Sequence, residues 1–243
     1  MSSEKHRLIC VGLGPGDPDL MSIRAHKLVS NANHIAYFRK KGRPGMARTI
    51  VEGIIKEDAI EYPMEYPVTT EIPFSDPEYE RLLSDFYDDW ADRLEKLTES
   101  SDVIALCEGD PFFYGSFIHL YVRLNERVKI EVVPGITGMS GCWTATSLPI
   151  AHGNDVLNVL MGTLSQEELT RHIRGSDAVV IMKTGRNLHK IRQSIEECDR
   201  MHDAWLIERG TMSGETVSRL SEVDMSACPY FAIVLLHGKG RRL

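Results

Sequence analysis

The chain has 243 residues, 42% of them apolar and 26% charged, with 35 acidic against 28 basic side chains and a formal net charge of −7. This composition excludes a disordered or collagen-like chain and suffices for one large domain or two of about 100 to 130 residues. No run of about 18 apolar residues occurs, and Met1 to Arg7 is polar without the apolar stretch of a signal peptide, which predicts a cytosolic, cytoplasmic protein with no membrane partner.

The acidity is local. Between Glu61 and Asp102 there are 13 acidic and 3 basic residues, and the one dense basic run is Arg39, Lys40, Lys41, Arg43 and Arg48. A nucleic-acid partner needs a long basic face to displace phosphate counterions, so this run suits a small polyanion better, or is a solvated surface.

In chain order, Leu8 to Leu13 predicts a first strand, which runs into Gly12-Leu13-Gly14-Pro15-Gly16-Asp17. That stretch is a poor dinucleotide motif. Asp17 stands where a third glycine belongs, Pro15 lacks an N–H, and the second strand, His34 to Phe38, is followed by Arg39-Lys40 instead of a ribose-binding acid. It reads either as a tight turn capped by Asp17 or Ser22, or as a loop that brings bare backbone to a ligand.

Ala59 to Met64 predicts a third strand, and Asp76-Pro77 starts a helix with Tyr79, Leu82, Leu83, Phe86, Trp90, Leu94 and Leu97 on one core-facing stripe. Val103 to Cys107 and Val128 to Val133 predict strands four and five, with a helix carrying Phe117, Leu120, Tyr121 and Leu124 between them.

Pro134-Gly135 marks a turn, placing a domain boundary between residues 1–133 and 134–243, and the small residues from Thr137 to Ser147 follow as a helix. The second half repeats the alternation through Val156–Met161, a helix from Gln166 to Ile173, Ala178–Met182, a helix with Leu188, Ile191 and Ile195, then Trp205–Glu208 and Phe231–Leu236. The class is α/β, with parallel strands joined by crossover helices. Two domains with sheets of about five strands each predict an active-site cleft between them.

The richest chemistry follows the fourth strand, in Cys107-Glu108-Gly109-Asp110-Pro111-Phe112-Phe113-Tyr114-Gly115-Ser116. Ligands of open α/β sheets bind beyond the carboxyl ends of the strands. Two acids, a glycine and aromatic faces there suit an ammonium, a ribose diol, a sulfonium or an adenine ring.

Other chemistries fail on inspection. Cys10, Cys107, Cys142, Cys198 and Cys228 contain no C-x-x-C pair and read as neither a disulfide framework nor a zinc site, with Cys10 and Cys107 as small buried hydrophobes. No metal site is expected. Gly138-Met139-Ser140-Gly141-Cys142 is not a G-x-S-x-G elbow, and no P-loop or H-E-x-x-H pattern occurs.

Taken in order, Gly12 to Asp17 with Leu20 and Arg24-Ala25, Gly109-Asp110-Pro111 with Tyr114-Gly115, Val133-Pro134-Gly135-Ile136-Thr137, Val180-Ile181-Met182, Glu208-Arg209-Gly210 and Phe231 to Leu236 resemble the tetrapyrrole (corrin and porphyrin) methyltransferases over nearly the whole chain. The resemblance implies two α/β domains, a homodimer, a tetrapyrrole substrate and S-adenosylmethionine bound in the cleft. It implies cofactor contacts at Pro15, Glu108, Gly109, Asp110, Phe113, Thr137, Gly138, Met182 and Gly210, although Glu108 departs from the glycine often found there in relatives.

Tyr62-Pro63-Met64, Tyr66-Pro67-Val68-Thr69 and the stretch from Gly109 to Phe117 look most like the members that methylate C-20 of precorrin-2, giving precorrin-3A in cobalamin biosynthesis. The cobalt form of the same step remains an alternative, and methylation of RNA or protein a more distant one. The uroporphyrinogen methylases of the family have an Asp, assigned as a base, where this chain has Phe38, which argues against that reaction. Arg39, Lys40, Lys41 and Arg43 are expected to hold substrate carboxylates. No catalytic residue is named, because alignment of an activated methyl with an electron-rich carbon can do most of the work.

Overall fold

The computed structural model describes residues 6–69, 71–73, 76–224, 231–238 and 240. The chain divides into two compact units, Met1–Thr137 and Gly138–Leu243. The division falls after Thr137, not after Val133, because the intervening segment stays with the first sheet: the Gly135 N–H donates to Asp110 Oδ2 at 3.1 Å.

In the first unit β1 (Arg7–Gly12), β2 (His34–Lys40), β3 (Ile60–Tyr66), β4 (Val103–Cys107) and β5 (Lys129–Val133) form a sheet of order β3-β2-β4-β1-β5, parallel throughout. Alternate residues point to opposite faces. Leu8, Cys10, Ala36, Met64, Val103 and Ala105 pack under α3 (Pro77–Thr98) and α4 (Phe117–Leu124), while Ile9, Val11, Ile35, Tyr37, Ile104 and Leu106 pack under α1 (Ile23–Ser30) and α2 (Met46–Ile50). With both faces covered, the central strands are unbroken apolar runs.

Local caps fix where these helices begin. The Ser22 hydroxyl accepts the Ala25 N–H at 3.1 Å, and Asp76 accepts the Glu78 N–H at 2.9 Å ahead of Pro77. The stripe of α3 is broader than its leucines and aromatics alone, since Tyr87, Ala91 and Thr98 are buried beside Phe86 and Leu94. Cys10 and Cys107 are buried in this core, and burial pushes the Cys10 thiol well up; Cys228 lies outside the described residues.

The second unit holds α5 (Gly138–Ala145), β6 (Leu157–Met161), α6 (Gln166–Arg174), β7 (Ala178–Met182), α7 (Leu188–Glu196), β8 (Ala204–Glu208), β9 (Thr216–Arg219) and β10 (Ala232–Leu236), with sheet order β6-β7-β10-β8-β9. The expectation of parallel pairing is corrected here. Only β6 and β7 pair parallel; β10 is antiparallel to β7 and β8, and β8 to β9. The reason is the connections: α7 carries the chain back between β7 and β8, whereas only a short turn at Leu220–Glu222 is described between β9 and β10.

α6 and α7 cover one face of this sheet with Leu169, Ile173, Leu188, Ile191 and Ile195, and α5 covers the other around Cys142. Arg200 is a polar core residue: its guanidinium donates to the Ser176, Asp177 and His237 carbonyls and pairs with Asp203 at 3.0 Å. No helix among the described residues is long and apolar enough to cross a membrane.

α6 opens on a full capping box, in which Ser165 Oγ accepts the Glu168 N–H and Glu168 Oε2 accepts the Ser165 N–H. Ser165→Ala should therefore cost the second unit about 1 kcal/mol. Urea unfolding should show this as a lower midpoint, with Ser165→Thr close to the parent.

Candidate active site

β1 and β4 are neighbours, yet the chain leaves β1 for β2 on one side of the pair and leaves β4 for β5 on the other. Such a reversal opens a crevice at the carboxyl ends of the two strands, where doubly wound sheets bind ligands. The loops that meet there are Gly12–Asp17 and Glu108–Ser116.

Their backbones interlock. The Leu13 N–H donates to the Cys107 carbonyl at 2.9 Å, the Gly109 N–H to the Gly14 carbonyl at 2.8 Å, and the Gly14 N–H returns to the Gly109 carbonyl at 3.4 Å. A Cβ on Gly12 would lie 2.6 Å from Gly135 N and 2.7 Å from Gly109 O, and one on Gly135 would lie 2.1 Å from Gly109 O. Gly109 itself has φ +63. Glycine is thus required where three strand ends touch, and the surface so formed is bare backbone. Asp17 and Ser22 both act as caps, Asp17 accepting the Asp19 N–H at 2.9 Å.

The site residues expected in this unit gather here. Pro15 is buried and Phe113 half-buried, edge-on to Tyr114 at 4.9 Å. Asp110 has a structural task that its sequence does not announce: Oδ1 accepts the Phe112 N–H at 2.9 Å and Oδ2 the Gly135 N–H. Tyr114 takes φ +57 while half exposed, a strained aromatic on the rim of the crevice.

Glu108 accepts the Ala47 N–H at 2.9 Å. It is open to solvent on one side, and the protein crowded around its other sides still pushes the carboxyl up, desolvation outweighing the Ala47 hydrogen bond.

The four expected substrate-binding cations do not stand alike. Lys40 to Arg43 form a turn closed by the Arg43 N–H on the Lys40 carbonyl at 3.1 Å, with Gly42 at φ +72. Arg39 pairs with Glu65, and Lys40 with Glu71 at 2.7 Å. Lys41 and Arg43 are exposed and make no ion pair with another described residue. Arg39 and Lys40 are thereby already neutralised.

In the second unit, Met182 ends β7 and Gly210 follows β8, both on the edge where β6, β7 and β8 present their carboxyl ends. A Cβ on Gly210 would sit 2.6 Å from Cys142 Sγ and 3.2 Å from Cys142 Cα, so packing of α5 explains this glycine. At Gly138 a Cβ would meet nothing within 4 Å, and no close approach requires it. Thr137 is half-buried at the end of the first unit.

The loop after β8 is strained: Arg209 has φ +51 and β-branched Thr211 has φ +67. Thr211 Oγ1 is buried with no hydrogen-bond partner among the described residues. Sequence reasoning stopped one residue short of it, at Gly210. No group of three or more His, Cys, Asp or Glu among the described residues could hold a metal ion.

The family of Tetrapyrrole (Corrin/Porphyrin) Methylases matches residues 7–224. The chain is 47% identical to a precorrin-2 C(20)-methyltransferase of Sinorhizobium sp, over 96% of this chain and 95% of that protein. It is 29% identical to a probable cobalt-precorrin-2 C(20)-methyltransferase of Methanocaldococcus jannaschii, over 88% of each. Among solved structures, the uroporphyrin-III C-methyl transferase of Thermus thermophilus complexed with S-adenyl homocysteine is similar in fold, with a TM-score of 0.65 at 20% identity over 96% of this chain and 97% of that one.

Proposed function

The chain belongs to the tetrapyrrole (corrin/porphyrin) methylases, and on that premise we propose that it transfers a methyl group from S-adenosylmethionine to C-20 of precorrin-2, giving precorrin-3A in cobalamin biosynthesis. The observation that carries the substrate is 47% identity, nearly end to end, to a protein named for that step, against 29% to one named for its cobalt-loaded form.

The residues present fit the cofactor. The junction of Gly12, Gly109 and Gly135 offers backbone that a side chain would cover, and Asp110 keeps a free lone pair on each oxygen beyond its two backbone bonds. Pro15, Gly109, Asp110 and Phe113 are the proposed contacts of the first unit; for Glu108, Thr137, Gly138, Met182 and Gly210 a contact with the cofactor rests on the resemblance alone. When bound, the cofactor supplies an already activated sulfonium methyl. The chain's part is then mainly orientation, which can contribute roughly 7 to 11 kcal/mol to lowering the barrier. Assembly as a homodimer is proposed on the resemblance alone, and sedimentation reads it directly.

Calorimetry should detect S-adenosylmethionine binding, and S-adenosylhomocysteine should accumulate only when a tetrapyrrole is added. Faster release with the cobalt-loaded macrocycle would assign the chain to the cobalt form instead.

Substrate carboxylates should rest on Lys41 and Arg43. Changing both to Gln should raise the KM for the tetrapyrrole by roughly 1 kcal/mol per contact and flatten its salt dependence, leaving cofactor affinity unchanged. Arg39 and Lys40, paired with Glu65 and Glu71, should matter less. A parental KM at low salt in the Lys41/Arg43 variant would place the carboxylates elsewhere.

A further inference from the structure

We propose that Glu108 is the proton acceptor of the reaction, removing the hydrogen from the substrate carbon once that carbon has received its methyl group. The inference rests on the tetrapyrrole reading above and adds a catalytic residue to it. Glu108 is the first residue beyond β4, two places past the Leu106–Tyr37 pair that aligns β4 with β2. It therefore lies level with the end of β2, where the basic turn begins. Its bond to the Ala47 N–H ties it to the helix that follows this turn. A macrocycle held by Lys41 and Arg43 would have this carboxylate beside it.

The rest of its surroundings suit a base. One oxygen accepts from Ala47, and no hydrogen bond to the other is made among the described residues. Asp110, two residues on, has both oxygens engaged by backbone N–H groups and serves as a brace.

Among the described residues no cation pairs with Glu108. The Arg and Lys side chains of the flanking β2 and α2, Arg39, Lys40 and Arg48, are paired with Glu65, Glu71 and Glu61. The Tyr66 phenol of β3, hydrogen-bonded to Ser116 at 2.5 Å, is harder to ionise, by desolvation first, then by the neighbouring Tyr87 and, more weakly, by Glu108. Desolvation raises the Glu108 carboxyl, which makes its ionised form a stronger proton acceptor.

The balance is simple. The substrate's π electrons form the new carbon–carbon bond, leaving a cationic macrocycle with both hydrogen and methyl on C-20. The C-20 proton passes to a Glu108 oxygen, and the C–H electron pair returns to the ring. Glu108 then releases the proton to solvent, to which it is open.

Glu108→Gln keeps an acceptor for the Ala47 N–H and removes the base. Calorimetry should show unchanged affinity for cofactor and tetrapyrrole, while the single-turnover rate falls by roughly 10² to 10⁴. The parent's rate should fall as pH drops and protonates Glu108, and this acid limb should be missing in the variant. Deuterium at C-20 should slow the variant and not the parent. Independently of turnover, infrared titration should show a carboxyl band in the parent, absent from the variant, that protonates above the ordinary glutamate range.

A variant that keeps the parental rate and acid limb would overturn the assignment, as would a loss accounted for wholly by weaker tetrapyrrole binding. If the parent itself methylates no tetrapyrrole, the functional reading fails and this step with it, an outcome distinct from the other two.

Discussion

Gly135→Val should abolish detectable cofactor binding and destabilise the first unit by at least about 1 to 3 kcal/mol, the usual cost of overpacking. The added Cβ would stand 2.1 Å from the Gly109 carbonyl oxygen and 2.9 Å from backbone atoms of Gly12, and none of these can swing aside as a side-chain tip would. Relief requires parting the ends of β1, β4 and β5, which also breaks the bond from the Gly135 N–H to Asp110. Urea unfolding and calorimetry on one preparation give both quantities. Gly138→Ala is the matched control, since its Cβ meets open space and the fold should not notice it. A Gly135→Val protein with parental stability and affinity would mean that the three-glycine junction is neither tight nor part of the site.

Asp110→Ala should weaken S-adenosylmethionine binding by roughly ten- to a hundredfold or more, since each hydrogen bond to a charged group contributes about 1.5 to 3 kcal/mol. The fold around it should not remain wholly intact, because the Phe112 and Gly135 N–H groups lose their acceptor together. Hydrogen exchange at these two amides should accelerate in Asp110→Ala and recover in part in Asp110→Asn, which retains one carbonyl oxygen. Faster exchange with unchanged affinity would leave Asp110 as a brace and remove it from the cofactor's contacts.

What the sequence discloses follows from how local each feature is. β4 and β7 begin and end where their apolar runs do, because strands buried on both faces have no polar positions to blur them. β9 carries no such signal: it has four residues on an edge, with Val217 its only apolar side chain, and Arg219 lies 3.9 Å over the Trp205 ring of the neighbouring strand, a contact no local pattern announces. Strand direction in the second sheet is not legible in the sequence, because alternation records burial and not orientation, and β10 is apolar whichever way it runs.

The candidate site shows the same divide. Gly12, Gly14, Gly109 and Asp110 stand out in sequence as unusual residues after strands, but their shared task of locking together strand ends 25 residues apart, Asp110 with Gly135, and 95 apart, Gly14 with Gly109, emerges only in three dimensions. Arg39 and Lys40 looked equivalent to Lys41 and Arg43 until Glu65 and Glu71, carried on and after the neighbouring strand, were brought beside them. Thr211 had no signal beyond following Glu208-Arg209-Gly210; its left-handed backbone and unpartnered hydroxyl are properties of the folded loop.

The most direct test of the central claim uses S-adenosylmethionine labelled with carbon-13 in its methyl group, incubated with the purified protein and precorrin-2. The account predicts a product one methyl group heavier, with the label bound to C-20 in the carbon spectrum and an equal amount of S-adenosylhomocysteine released. Label at any other ring carbon, or no transfer to precorrin-2 by a protein that binds the cofactor, would contradict it.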